Sequence, residues 1–575
     1  MMRREYWMTL LLLATGVFAF GQQEEEQDNR VRRATTIDSI DVIRDYRPIL
    51  ADAVKIRRSP DMTNKREYQP KLTYNILDKK LDITTGIKQL TIQEMPYSRP
   101  EDILPNYVKI GAGNFSTLLG EVYLSTDRFA DARLGGYVKH LGQRGSLDAQ
   151  RYSQQQIGVF GRKTLPQVTI SGEVGYSRYA TRFYGVIVDE EGVNLNPSPA
   201  KQAFNDIFLT AEMVSNFDPT RTDDLGYSVK LDGYAYSNAF QAKENSAAIS
   251  GYLNRRINAF NVGANVSADF TTVSDDAYSI ANHIARLNPY VRFKGDNYNV
   301  TLGANLVAEF GDRQRTNIFP SAEVDFALIP EYAHIFGGIT GDINKTSFRE
   351  LSKENPFLAQ NIQIENSVDR THIFGGIKGN AGATFGYKVH GFYRRVESLP
   401  LFVNNIDAPY QFDLIYDDLD KASTIVGLEG EVNLRVSETV SLGGKLNLNE
   451  YDLKNEEHAW FLPKLRVSAN TRINISEKLY INGELLFNGL TYGKVYDAPL
   501  NPTTPEEPDP VATDPEARRV SIPAFADISA AAEYRVNNQI GIYVRANNLL
   551  GNTYERYLYY PRLGLNVIGG INFSF

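Results

Sequence analysis

The final eleven residues, 565–575, alternate apolar and polar side chains down to a terminal phenylalanine. Leu565, Val567, Gly569, Ile571, Phe573 and Phe575 share one face. Asn566, Gly570, Asn572 and Ser574 share the other, which only Ile568 interrupts. A period of two with one greasy and one wet face is the pattern of a strand set between lipid and a hydrated interior. Such a strand cannot lie in hydrocarbon alone, because each unpaired backbone amide or carbonyl there costs several kcal/mol. The pattern therefore predicts an all-β fold, a large transmembrane antiparallel β-barrel whose last strand ends on the aromatic carboxyl terminus.

The same rhythm recurs from Asn106 onward. Val168, Ile170, Gly172, Val174 and Tyr176 face one way, and Gln167, Thr169, Ser171, Glu173 and Gly175 the other. The clearest hairpin runs over 426–436 and 440–448, with Val426, Leu428, Val432, Leu434, Leu442, Leu446 and Leu448 on one side. Glu429, Glu431, Asn433, Arg435, Lys445 and Asn447 lie on the other side, across the turn Ser437, Glu438 and Thr439. Charges on that second face fit a hydrated lumen and would be costly against lipid. At roughly 9–11 residues per membrane strand plus turns, residues 106–575 hold about 22 strands, give or take two. Stretches 184–203, 347–368 and 493–519 read as long loops on the outer side. The last of these carries Pro499, Pro502, Pro505, Pro508, Pro510 and Pro515, which exclude a central strand and point to a mobile surface loop.

The N-terminus reads as an address. Arg3 and Arg4 precede an apolar run from Met8 to Phe20, and small residues before Gln22 suit cleavage, so residues 1–21 form a signal peptide. No later stretch approaches the length of a membrane helix. There are 34 Tyr and 29 Phe against 2 Trp, a bias that suits interfacial girdles. Zero Cys removes disulfides and thiol chemistry, and a net charge of −8 argues against a nucleic-acid binder. Residues 22–105 read as a short N-terminal periplasmic or lumen-inserted segment. It has strand candidates at 40–48 and 72–76, and Pro96, Pro100 and Pro105 lead into the barrel of 106–575.

Several motifs near the C-terminus carry a family likeness. They are Pro523 to Ile528, Ala532 to Val536, the run Val544, Arg545, Ala546, Asn547, Asn548 and Leu549 with Tyr554 following, then Tyr559, Tyr560, Pro561 and Arg562 before the closing strand. This region resembles the last three strands of TonB-dependent outer-membrane receptors, in the style of Bacteroidota. The resemblance implies a 22-stranded barrel, a Gram-negative outer-membrane location among its lipids, and insertion by the β-barrel assembly machinery through the terminal strand. One departure stands out: residues 22–105 are too short for the plug domain of that family and do not read as one. Thr36 to Val42 could be mistaken for the box that TonB pulls, but apolar residues mixed with Asp are common. Either residues 22–105 or the long loops are expected to close the lumen.

No enzyme signature, cofactor motif or metal-ligand spacing is found. His140, His283, His334, His372, His390 and His458 are scattered, and the Asp417, Asp418 and Asp420 run reads as a solvated turn rather than a Ca²⁺ loop. Candidate ligand or partner contacts are Tyr554, Arg556, Tyr557, Tyr559, Tyr560 and Arg562 at the outer end of the last hairpin. Tyr176, Tyr179, Phe183 and Tyr184 form a similar group beside a long loop. The expected function is solute passage across the outer membrane without a plug of its own. The alternative is a structural scaffold that docks other envelope proteins.

Overall fold

The computed structural model describes residues 105–126, 132–187, 194, 196–216, 225–257, 260–330, 332–382, 384–496 and 517–575. The readings made above for residues 1–104, including the signal peptide, the strand candidates and the 36–42 stretch, lie outside them. No helix among the described residues is long and apolar enough to cross a membrane.

Twenty-two antiparallel strands form one closed sheet. The first, Tyr107–Gly113, pairs with the last, Asn566–Ser574, with Val108 opposite Phe573 and Ala112 opposite Gly569. Closure leaves no strand edge unpaired, as hydrocarbon demands. Beyond the ladder the seam continues through Asn106 N–H to the Phe575 carbonyl at 3.1 Å, and Phe575 N–H to the Asn106 carbonyl at 3.0 Å.

The two faces separate as the alternation requires. Val426, Val432, Leu442, Ile542, Ile571 and Phe573 are exposed on the outside, where lipid would cover them, whereas Asn566, Ile568 and Asn572 are buried on the inside. In the hairpin singled out by sequence, Leu428 faces Leu448 and Glu431 faces Lys445, whose ammonium lies 3.2 Å from the carboxylate. From the strand Ile540–Asn547, Tyr543 reaches across the seam from within and donates to the Ile110 carbonyl at 3.2 Å. The glycines beneath it allow this. A Cβ at Gly111 would sit 2.2 Å from the Tyr543 hydroxyl, and one at Gly570 would sit 2.0 Å from the Ile110 oxygen. Ile568, the one break in the polar face, packs with Leu119, Leu141 and Tyr543 in a small apolar cluster behind the seam.

Strand direction sorts the connections. Tight turns, as at 165–167, 295–297, 437–439 and 537–539, lie at one end. At the other end lie the long connections 183–200, 345–366, 398–422, 453–464, 489–524 and 548–565. These loops are more ordered than sequence alone indicates. The stretch 347–368 contains a helix, Phe348–Glu354, capped by Ser347, which accepts from the Glu350 amide. The flanks of the proline-rich loop pair as a hairpin, Thr491–Tyr496 with Ala517–Ile522, and its tip lies outside the described residues. Pro400–Asn404 and Phe412–Tyr416 form a second small hairpin within residues 398–422.

Candidate functional site: the loop roof over the outer mouth

The long connections bury one shared apolar core. It includes Phe183 and Tyr184, Phe357 and Leu358, Phe402 and Phe412, Trp460 and Phe461, Val495 and Ile522, and Tyr557 and Tyr560. At its centre three rings meet pairwise. Tyr184 stands edge-on to Tyr560 at 5.0 Å and to Phe357 at 5.7 Å, and Phe357 stacks on Tyr560 at 3.5 Å. Tyr184 follows the fifth barrel strand, Phe357 follows the thirteenth, and Tyr560 precedes the twenty-second. Connections rooted about a third of the ring apart touch only by meeting over the middle of the mouth. The outer end of the barrel is therefore roofed by its own loops.

Local chemistry brings each ring inward. Tyr559 adopts φ +73°, a left-handed conformation rare for a bulky residue, and this reversal directs Tyr560 into the core. Gly185 leaves room for it, since a Cβ there would lie 3.1 Å from the Tyr560 ring. The buried hydroxyls each find an acceptor: Tyr560 donates to the Tyr410 carbonyl, Tyr184 to the Pro561 carbonyl at 3.2 Å, and Tyr557 to the Glu354 carbonyl at 3.2 Å. Burial raises the pKa of all three phenols, so they remain donors. Between the loops, Phe412 exchanges backbone hydrogen bonds with the Phe357 and Ala359 positions, both at 2.9 Å.

Two carboxylates on the inner wall hold the helix. Glu244, fully buried, accepts from Ser347 Oγ at 2.6 Å, from the Phe348 amide at 2.5 Å and from the Tyr234 hydroxyl. Asp206 takes two hydrogen bonds from the Arg349 guanidinium, at 2.9 and 2.7 Å. Both come from barrel strands, Lys201–Ser215 and Lys243–Ile257, remote in sequence from the loop they hold.

A third carboxylate corrects the sequence reading. Asp417 is buried rather than solvated, and it accepts from Ser423 Oγ and from the amides of Lys454, Asn455 and Glu456 at 2.7–2.9 Å. It thereby ties residues 398–422 to residues 453–464. Burial alone would raise its pKa, but these hydrogen bonds outweigh it and hold the carboxyl below its usual range. Glu365, Asp413 and Glu555 behave oppositely, each raised by burial. The two sets act in different pH windows. For the raised groups the folded pKa exceeds the unfolded one, so the roof gains stability as pH falls from neutrality toward the ordinary carboxylate values of about 4. For Asp417 the contribution is present above an unfolded pKa of about 3.9 and is lost as pH falls further, through the lower folded value. Resistance of these loops to an acid-tolerant external protease should thus peak in mild acid and collapse below it. Asp417→Asn should lower the plateau by about 2 kcal/mol and blunt the acid collapse.

The six candidate contacts are placed as follows. Tyr557 and Tyr560 are buried in the roof. Tyr554 stacks on Phe525 at 4.1 Å and donates to Asp527 at 2.5 Å, which anchors the base of the same loop. Arg556 bonds Glu354 of the helix at 3.2 Å. Tyr559 is the reversal point, and Arg562 is half-buried with its amide on the Tyr554 carbonyl at 2.8 Å. Tyr184 joins Tyr560, as its sequence group hinted. Phe357, Phe412 and Trp460 carry no sequence signal that set them apart from other loop aromatics. In the lumen wall below, Asn265, Arg286, Asn305, Asp342 and Asp369 line a niche of about 60 Å³, enough for a water or two. Among the described residues no group of three His, Asp or Glu side chains is arranged to hold a metal ion.

A closed 22-strand barrel, apolar outside, polar inside and roofed at the long-loop end, has the architecture of a large outer-membrane β-barrel. Solved structures share this fold. The ferripyoverdine receptor of the outer membrane of Pseudomonas aeruginosa matches with a TM-score of 0.61 at 14% identity, over 83% of this chain and 72% of that one. The FrpB iron transporter from Neisseria meningitidis (F3-3 variant) matches at 0.63 and 9%, over 83% and 82%. The siderophore receptor PiuA from Acinetobacter baumannii matches at 0.56 and 11%, over 82% of both chains. No family model and no curated protein matches the sequence.

Proposed function

We propose that this barrel passes a solute across the outer membrane, with the loop roof as its outer gate. The observation that carries the reading is the closure of the mouth by the Tyr184, Phe357 and Tyr560 junction, made by connections and not by barrel strands. Loops can move while the ladder stays intact. Wholesale unpacking is out of reach, because each buried aromatic or aliphatic side chain contributes about 1.5–3 kcal/mol. Opening is therefore a displacement of one or two loops. Residues 548–565 are the natural mover, since they hold the junction through Tyr560 and the helix through Arg556 and Tyr557. The structural neighbours named for iron transport and siderophore reception support a transport role by likeness of fold.

The extent of the packed roof also favours the scaffold alternative, in which the mouth stays shut and the barrel docks envelope proteins. Proteoliposome swelling with graded saccharides, together with affinity purification from native membranes, separates the two. Size-limited swelling supports passage. A silent barrel recovered with a stoichiometric envelope companion would replace the reading with the scaffold.

A further inference from the structure

The outward face of four adjacent strands ends in a row of cations. In the strand Ala132–Arg144 the even positions point outward, as exposed Leu134 and Val138 show, so Arg144 does too. Its neighbour Gln143 points inward, buried and bonded to Thr117 and Asn566. By the same alternation, Ile157 and Val159 share a face with Arg151, Ile170 and Val174 with Arg178 and Arg182, and Ile207 and Leu209 with Lys201. Register aligns them. Arg144 lies directly opposite Arg151, and Arg182 directly opposite Lys201. Ser153 opposite Ala180 carries the line from Arg151 to Arg182. Three strand spacings of about 4.8 Å make the row about 14 Å long.

The level of the row is set by what lies beneath it. Directly under it lies a rung of small residues, Gly142, Ser153, Ala180 and Ala203, and next a polar rung of His140, Gln155, Arg178 and Asn205 in register. Under that, Val138, Ile157 and Ile207 begin the apolar wall. The row thus stands where hydrocarbon gives way to headgroups on the long-loop side. None of Arg144, Arg151, Arg182 or Lys201 has a carboxylate partner among the described residues; Arg182 bonds only the Pro199 carbonyl, at 2.8 Å. Like charges directly opposite one another destabilise a sheet. Two such pairs side by side concentrate positive charge that an anion at this level would offset.

We propose that this row binds the phosphorylated head of an outer-leaflet glycolipid. Guanidinium groups match phosphate oxygens in paired hydrogen bonds, and a row of four at headgroup height faces a lipid, not bulk water. The site rests on the membrane placement of the barrel and not on solute passage.

The test uses the purified full-length chain in detergent, melted with bisphosphorylated lipid A, with the same lipid dephosphorylated, or with inorganic phosphate. Only the first should raise the melting temperature, by several degrees. The shift should vanish in the fourfold variant Arg144→Gln, Arg151→Gln, Arg182→Gln and Lys201→Gln. It should persist in Lys163→Gln with Arg255→Gln, outward cations at the short-turn end. If the fourfold variant does not fold, the pair Arg151→Gln and Lys201→Gln should halve the glycolipid that co-purifies, counted by native mass spectrometry. An equal shift with the dephosphorylated lipid, an equal shift with phosphate, or undiminished glycolipid in the variants overturns the site. A barrel that passes no solute yet shows the full shift keeps it, and a conducting barrel without the shift loses it alone.

Discussion

A chain carrying Phe357→Ala with Tyr560→Ala should open in planar bilayers roughly a hundred to a thousand times more often than the unaltered protein. Truncating one well-packed buried aromatic costs about 3–5 kcal/mol, and each 1.4 kcal/mol is tenfold in an equilibrium. The two rings stack on each other at 3.5 Å, so the double variant should lose less than the sum of the singles. The barrel itself should be untouched, because neither residue lies in a barrel strand. Heat-resistant migration in detergent gels checks that the ladder is intact, and single-channel recording gives the open fraction. A variant as silent as the parent, with its loops demonstrably loosened by protease mapping, would remove the roof from any gating role.

The second large effect is expected at Glu244→Ala. Three donors converge on that carboxylate, and two of them, the Phe348 amide and Ser347 Oγ, start the roof helix. Hydrogen bonds to a buried charge are worth about 1.5–3 kcal/mol each, and their loss also strands the donors. External trypsin on whole cells should then cleave at Arg349 or Lys353, sites held within the folded helix of the parent. Asp206→Ala should act in the same direction, since breaking a buried ion pair costs about 3–5 kcal/mol. Combining it with Glu244→Ala should add little, because either loss already frees the helix. Cleavage at the parental rate in both single variants would show that the helix is held by its apolar contacts alone.

The barrel was legible because its signal is local. Alternation at Leu565 to Phe575, at 168–176 and in the 426–448 hairpin reports which face each side chain takes, and a lipid-covered face permits few exceptions. Even the length estimate of about 22 strands follows from bilayer thickness. The roof left weaker traces. Ser347 followed by Glu350 is the spacing of a helix N-cap, a signal present in the sequence but set within a long polar stretch between strands. An acidic run such as Asp417, Asp418 and Asp420 ordinarily marks a solvated turn. Nothing in the run shows that Lys454, Asn455 and Glu456 bring their amides to it from a connection almost forty residues on. The sequence presents Tyr560 as a contact residue without its partners, which are Tyr184, Phe357 and Tyr410, in three segments spread along the chain.

By itself the sequence determined the wall: strands, their inner and outer faces, and the need to close on Phe575, all consequences of a period-two pattern facing hydrocarbon. Only the tertiary structure decided what covers the mouth and which cations stand abreast on the rim. Both depend on where ring closure carries positions remote in sequence, such as Tyr184 and Tyr560, or on register between strands, such as Arg144 with Arg151 and Arg182 with Lys201. A residue's own neighbours fix the face it takes, but partners across a closed ring are set by the whole ladder at once.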